Sequence, residues 1–161
     1  MKETSEQKLH ELENEGKYVF HGSGLLIEEF DPRQAHNYID GKQIPDGDPA
    51  IFTSTFADYA IFMALINEIN CPLGYHSGSG FRNGKPTFQA TQSTLNQLQE
   101  SAKGYVYVFN RSDFSERNES EWVSFKKIKP VSTITVIRPD FLPQIEVTDL
   151  NISDKEIITK D

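Results

Sequence analysis

The sequence predicts an α+β domain with mainly antiparallel sheet, and three observations predict it. One strong helical pattern, "TFADYAIFMALINEI", stands near the centre of the chain. Four β-prone runs follow it, "TFQAT", "YVYVFN", "SEWVSFKKI" and "STITVIRP", with one short helical stretch among them. A doubly wound fold would instead alternate strand and helix regularly. The length, 161 residues, fits one domain around one core. That domain is expected over residues 1–147, opening with a helix within 1–16, and the polar, acidic tail 148–161 is expected to fray.

Each element has its own reason. Ser5 to Glu15 carries charges on most faces and Leu9 and Leu12 on one, which reads as a short amphipathic helix ended by Gly16. "KYVF" reads as the first strand. "LLIEEFDPRQAHNYIDGKQIPDGDP" contains Pro32, Gly41, Pro45, Gly47 and Pro49, so it reads as mostly loop with at most a helical turn. "AIFTS", Ala50 to Ser54, is a short β-prone run. In the central helix Phe56, Tyr59, Ala60, Met63 and Ala64 recur at spacings of three and four, with Ser54 or Thr55 as the natural N-cap. "NCPLGYHSGSGFRNGKP" is glycine-rich and reads as a long mobile loop. "STLNQLQESAKG" reads as a short helix stopped by Gly104, and "YVYVFN" carries the strongest strand signal.

Composition narrows the function. The formal net charge is −8, which argues against a general nucleic-acid binder, because phosphate binding relies on Lys and Arg. "FKKIK", Phe125 to Lys129, is the one dense basic patch and reads as a solvated strand or turn. No apolar run approaches the roughly eighteen residues of a membrane span. The N-terminus lacks the apolar core of a secretory signal, so the Asn-x-Ser triplets at Asn110, Asn118 and Asn151 read as chance. Cys71 is the sole cysteine, so no internal disulfide forms. That suits a reducing compartment, the cytoplasm of the producing cell or of a target cell.

Familiar chemistry is largely missing. No P-loop is present, and "GSGFRNG" lacks the preceding strand that a dinucleotide fingerprint needs. One cysteine and four scattered histidines give no zinc spacing, so no metal is expected. His10, His36 and His76 read as surface histidines, and Cys71 as an incidental or buried thiol.

Three places stand out together. His21-Gly22-Ser23 ends a strand, where a glycine lets a ligand approach the backbone and a histidine can donate or accept a hydrogen bond. Ala50 to Ser54 runs into a helix bearing Phe56, Tyr59 and Phe62. "NESEW" sets Glu119 and Glu121 two apart, which on a strand would put both carboxylates on one face. Singly, these read as a turn, a core helix and a solvated edge.

Their order, "FHGSG", then "AIFTSTFADYAIF", then "SEWVSF", resembles the ADP-ribosyltransferase superfamily in its His-Tyr-Glu branch, that of the poly(ADP-ribose) polymerases and diphtheria-type toxins. The resemblance spans roughly residues 18 to 137. It implies a split, mainly antiparallel sheet core with flanking helices, and NAD as substrate. It implies that His21 contacts the NAD ribose, that Gly22 bonds the nicotinamide carboxamide through its backbone, and that Phe62 stacks on nicotinamide. Ser23, Thr53, Ser54 and Tyr59 complete the implied NAD-binding set. Phe52 stands where the family has a tyrosine. Glu121 matches the catalytic glutamate, and Glu119 the acceptor-directing position of arginine-modifying relatives. The glycine-rich stretch 74–84 would close over the dinucleotide.

The match is not uniform. Phe52 lacks the tyrosine hydroxyl. The "TST" run partly resembles the Ser-Thr-Ser of the arginine-specific branch, but that branch opens its first motif with Arg where this chain has His21. The implied activity is transfer of ADP-ribose to an acceptor such as a protein, or simple NAD hydrolysis. An inactive NAD-binding or protein-interaction module of the same fold is the alternative. An RNA 2′-phosphotransferase fits less well, because that family has no glutamate like Glu121.

Overall fold

The computed structural model describes residues 4–138 and 145–148 and, within these, the side chains of all but residues 35–38, 46 and 47. Helix α1 spans Ser5–Asn14. Thr4 caps it in a reciprocal box with Gln7, and Gly16, expected to end the helix, follows it at φ +70°. Strand β1 is Tyr18–Ser23 and ends in "HGS", as expected, running three residues past "KYVF".

The stretch read as loop is a hairpin. β2, Arg33–Ile39, and β3, Lys42–Thr53, pair antiparallel across Asp40 and Gly41, both at positive φ. Two consecutive residues at positive φ make the tight turn that matches strand twist. The prolines fit because β3 pairs with β8 only over Ile51 to Thr53, leaving one edge of residues 42–49 open. The expected Ala50–Thr53 strand is the end of β3.

Helix α2 is Ala57–Leu65, shorter than its pattern suggested. Neither Ser54 nor Thr55 caps it. Phe56 is the N-cap residue and gives no side-chain cap. Instead the Glu13 carboxylate of α1 accepts the Ala57 N–H at 2.7 Å, while Ser54 Oγ accepts the Phe56 N–H at 3.0 Å.

The expected mobile loop is also a hairpin. β4, Ser77–Arg82, meets β5, Lys85–Ala90, across Asn83 and Gly84 at positive φ. The Tyr59 hydroxyl donates to the Gly80 carbonyl, and Phe56 packs on Phe81 at 5.3 Å, fastening this hairpin to α2. Helix α3 is Gln92–Gln97. It ends well before Gly104, which lies inside β6, Lys103–Asn110. A 3-10 turn, Arg111–Asp113, follows, then β7, Ser115–Glu116, β8, Trp122–Ser124, β9, Ser132–Ile137, and β10, Glu146–Val147. The tail from 149 on lies outside the described residues.

The architecture is α+β and mostly antiparallel. Among the described residues three sheets run in the orders β1-β6-β9, β10-β5-β4 and β2-β3-β8-β7, and only β10 pairs parallel. Alternation along β6 builds a core on each face of the first sheet. Val106 and Val108 join α2, Phe20, Ile134 and Val136 on one side. Tyr107 and Phe109 join Val19, Phe30, Ile51 and Phe114 on the other. Helix α2 lies directly on β1 and β6. A Cβ on Gly22 would sit 1.7 Å from the Ala60 carbonyl oxygen, and one on Gly104 1.8 Å from that of Ala64.

Candidate active site

Among the described residues the first and third sheets share backbone hydrogen bonds at a single bridge, and beyond it their edges part. Phe20 and Ser54 exchange both backbone hydrogen bonds, at 2.8 and 3.0 Å. Among the described residues this is the one bridge between β1 and β3. Backbone groups two residues apart point to the same side of a strand. Gly22 therefore turns its N–H and C=O toward β3, beyond the point where β3 stops pairing with β1.

His21 spans the opening. Its Nδ1 lies 2.7 Å from the Phe52 carbonyl oxygen. A carbonyl only accepts, so Nδ1 carries the proton, and in the neutral ring Nε2 is left as an acceptor. The ring is wedged edge-on against Phe30 at 5.0 Å. Burial lowers the histidine pKa, the Phe52 bond works to raise it, and the charge of Arg33 lowers it further. The net shift is downward from 6.5, so the ring is neutral at pH 7.

Glu121 comes to this region through β8. Thr53 faces Trp122, so the register continued by one residue sets Ser54 level with Glu121. The carboxylate Oε1 lies 3.0 Å from Arg117 Nη1, and each side chain is about a third exposed. The Arg117 guanidinium sits 5.5 Å from the centre of the Phe52 ring. Phe52, Arg117 and Glu121 thus form one group, on the α2 side of the third sheet. Ser120 approaches the Tyr59 hydroxyl, whose pKa burial raises and Ser120 works to lower.

Other expected site residues are placed differently. Glu119 is exposed in a bend at 118–120, so it does not share a strand face with Glu121. Phe62 is 2% exposed and packs on Phe88 at 4.9 Å. It is core, and its ring is closed to a stacking ligand. Thr53 is buried and donates to the Trp122 carbonyl at 2.9 Å. Ser54 is buried and serves the α2 terminus. Ser23 Oγ accepts the Leu25 N–H at 3.1 Å, shaping the turn after β1. Gly22 is a glycine because α2 packs on it, whatever else its backbone does. The structure therefore sets His21 and Gly22 at the parted edge, with His21 bonded to the Phe52 carbonyl and Glu121 linked to the Phe52 ring through Arg117, and sets Glu119 and Phe62 apart.

Two arginines escaped the sequence reading. Arg117 stands four residues before Glu121, a spacing that signals an ion pair on a helix, but here the chain bends. Arg33 reaches the neighbourhood of His21 only because its segment is a strand. Among the described residues no three of His, Cys, Asp and Glu cluster as metal ligands, and no helix is long and apolar enough to cross a membrane. Compared with protein-family models, curated proteins and solved structures, the chain finds no match.

Proposed function

We propose that the chain binds NAD where β1 and β3 part and breaks its nicotinamide–ribose bond. ADP-ribose then passes to an acceptor, a protein side chain or water. The fold on this reading is the split sheet of the ADP-ribosyltransferases. The observation that carries it is the opened strand edge at Gly22, spanned by His21 and flanked by Glu121. A strand edge offers one donor and one acceptor side by side, which suits a carboxamide. The free Nε2 of neutral His21 suits a ribose hydroxyl that donates to it.

Cleavage sends the bond electrons to the nicotinamide ring nitrogen and leaves positive charge on the ribose, as in glycoside cleavage. The Glu121 carboxylate stabilises that charge. The acceptor attacks the ribose carbon and gives its proton to solvent. Phe52, half-buried beneath Arg117, supplies an aromatic wall for the leaving ring.

A second reading rests on the Arg117–Glu121 pair. A carboxylate already neutralised by a guanidinium is poorer at stabilising a cation, which favours a module that binds NAD without turnover. NAD-dependent melting tests binding under both readings. At about 100 times its Kd, a ligand adds about 2.7 kcal/mol, which in a chain of this size raises Tm by roughly 5–10 °C. The rise is expected in the native chain and not in His21→Ala with its fold checked by circular dichroism. No rise in the native chain would contradict both readings.

A further inference from the structure

Away from the parting strands, the start of β1 and the end of β6 frame a cleft of about 560 Å³, lined by Gly16, Lys17, Asn110, Arg111, Ser112, Phe114 and Trp122. The Arg111 N–H donates to the Lys17 carbonyl at 2.8 Å. That bond continues the β1–β6 register, in which Tyr18 faces Asn110, and sets two cations directly opposite each other. Like charges in that position repel. The chain carries 24 acidic residues against 16 basic ones, yet among the described residues neither Lys17 nor Arg111 is in an ion pair. Among the described residues no carboxylate lines the cleft. Of the nearby acids, Glu15 and Asp113 are exposed, and so is Glu116, which faces Trp122 across the β7–β8 register. Arg111 is held over the Trp122 ring, 5.3 Å from its centre, rather than turned to an acid. The Ser112 hydroxyl, in the 3-10 turn that follows β6, lines the same cleft.

We propose that this cleft binds a phosphate monoester. Two cations and a hydroxyl match a dianion with three acceptor oxygens. The volume exceeds what a bare phosphate fills, and Phe114 and Trp122 give an apolar wall for the organic part of the ester. Successive residues of an extended chain point to opposite faces, so Trp122 faces this cleft while Glu121 faces the parting strands. The occupant is therefore distinct from NAD at the proposed catalytic edge.

Trp122 is the sole tryptophan, so intrinsic fluorescence reports on the cleft directly. The experiment titrates AMP, inorganic phosphate and adenosine into the full chain at constant ionic strength. A saturable change is expected with AMP, a weaker one with inorganic phosphate and none with adenosine. Loss of one charged hydrogen bond weakens binding by about tenfold or more. Lys17→Gln and Arg111→Gln are each expected to show that loss, while Glu121→Gln keeps the native response. No saturable change up to about 1 mM AMP, an equal response to adenosine, or native binding in both Gln variants would overturn the proposal.

Discussion

His21 and Gly22 illustrate how one residue serves fold and chemistry together. The His21 ring replaces a backbone bond that β1 and β3 no longer make, by taking the Phe52 carbonyl. The same bond fixes the tautomer and frees Nε2. Gly22 has a structural reason that the sequence could not show. "HGSG" is legible as a bare stretch of backbone, but what comes close to it is the carbonyl of Ala60, 38 positions away in the chain. Gly22→Ala must displace α2 or strain β1. Overpacking of this kind costs up to about 3 kcal/mol or more, equivalent here to roughly 6–12 °C of Tm. A calorimetric scan of Gly22→Ala is expected to show that fall without any ligand. A Tm within about 2 °C of native would mean that α2 does not rest on Gly22, and would return the glycine to the ligand.

At the scale of elements, periodicity was readable and turn chemistry was passed over. The spacing in "ADYAIFMAL" gives α2, and the alternation in "YVYVF" gives β6 and its two-faced burial. Asp40-Gly41 and Asn83-Gly84 are hairpin turn pairs, yet each lies among glycines and prolines that taken together read as loop. The α2 terminus was hidden for another reason, since its cap comes from Glu13 on another helix. Burial raises the Glu13 pKa, and its bond to the Ala57 N–H works to lower it.

The same junction holds His10 Nε2 2.7 Å from Asp58 Oδ1. Burial works to lower the His10 pKa, but the hydrogen bond and charge of Asp58, with Glu13 and Glu6, carry it above 6.5. A histidine whose folded pKa lies above its unfolded value stabilises the fold fully below the unfolded pKa. It loses that effect as pH rises through the folded one. Melting curves are expected to show native chain exceeding His10→Gln most at about pH 6, the margin shrinking toward about pH 9. A margin that widens with pH would contradict the pairing.

Over the whole molecule, the class of fold was legible and the meeting of the sheets was not. Strand content and order give α+β with antiparallel pairing. Nothing in the linear pattern says that β1 and β3 share one bridge and then part, or that β8 brings Glu121 level with Ser54. Those are consequences of register. Register likewise explains why Phe62 is core while Phe52, at a strand end, keeps part of its ring open. Glu119 was legible only as a carboxylate near another, and the bend at 118–120 separates the two.

Nicotinamide release from NAD by the purified chain, beside Glu121→Gln, tests the proposed chemistry most directly. The Glu121 side chain is about a third exposed and pairs with one arginine, so the variant is expected to keep its fold and its Tm. Release by the native chain and a fall of at least about a hundredfold in the variant are the expected result, in line with removing a charge aimed at the transition state. Equal release by both would contradict the role of Glu121, and no release by the native chain would contradict NAD cleavage itself.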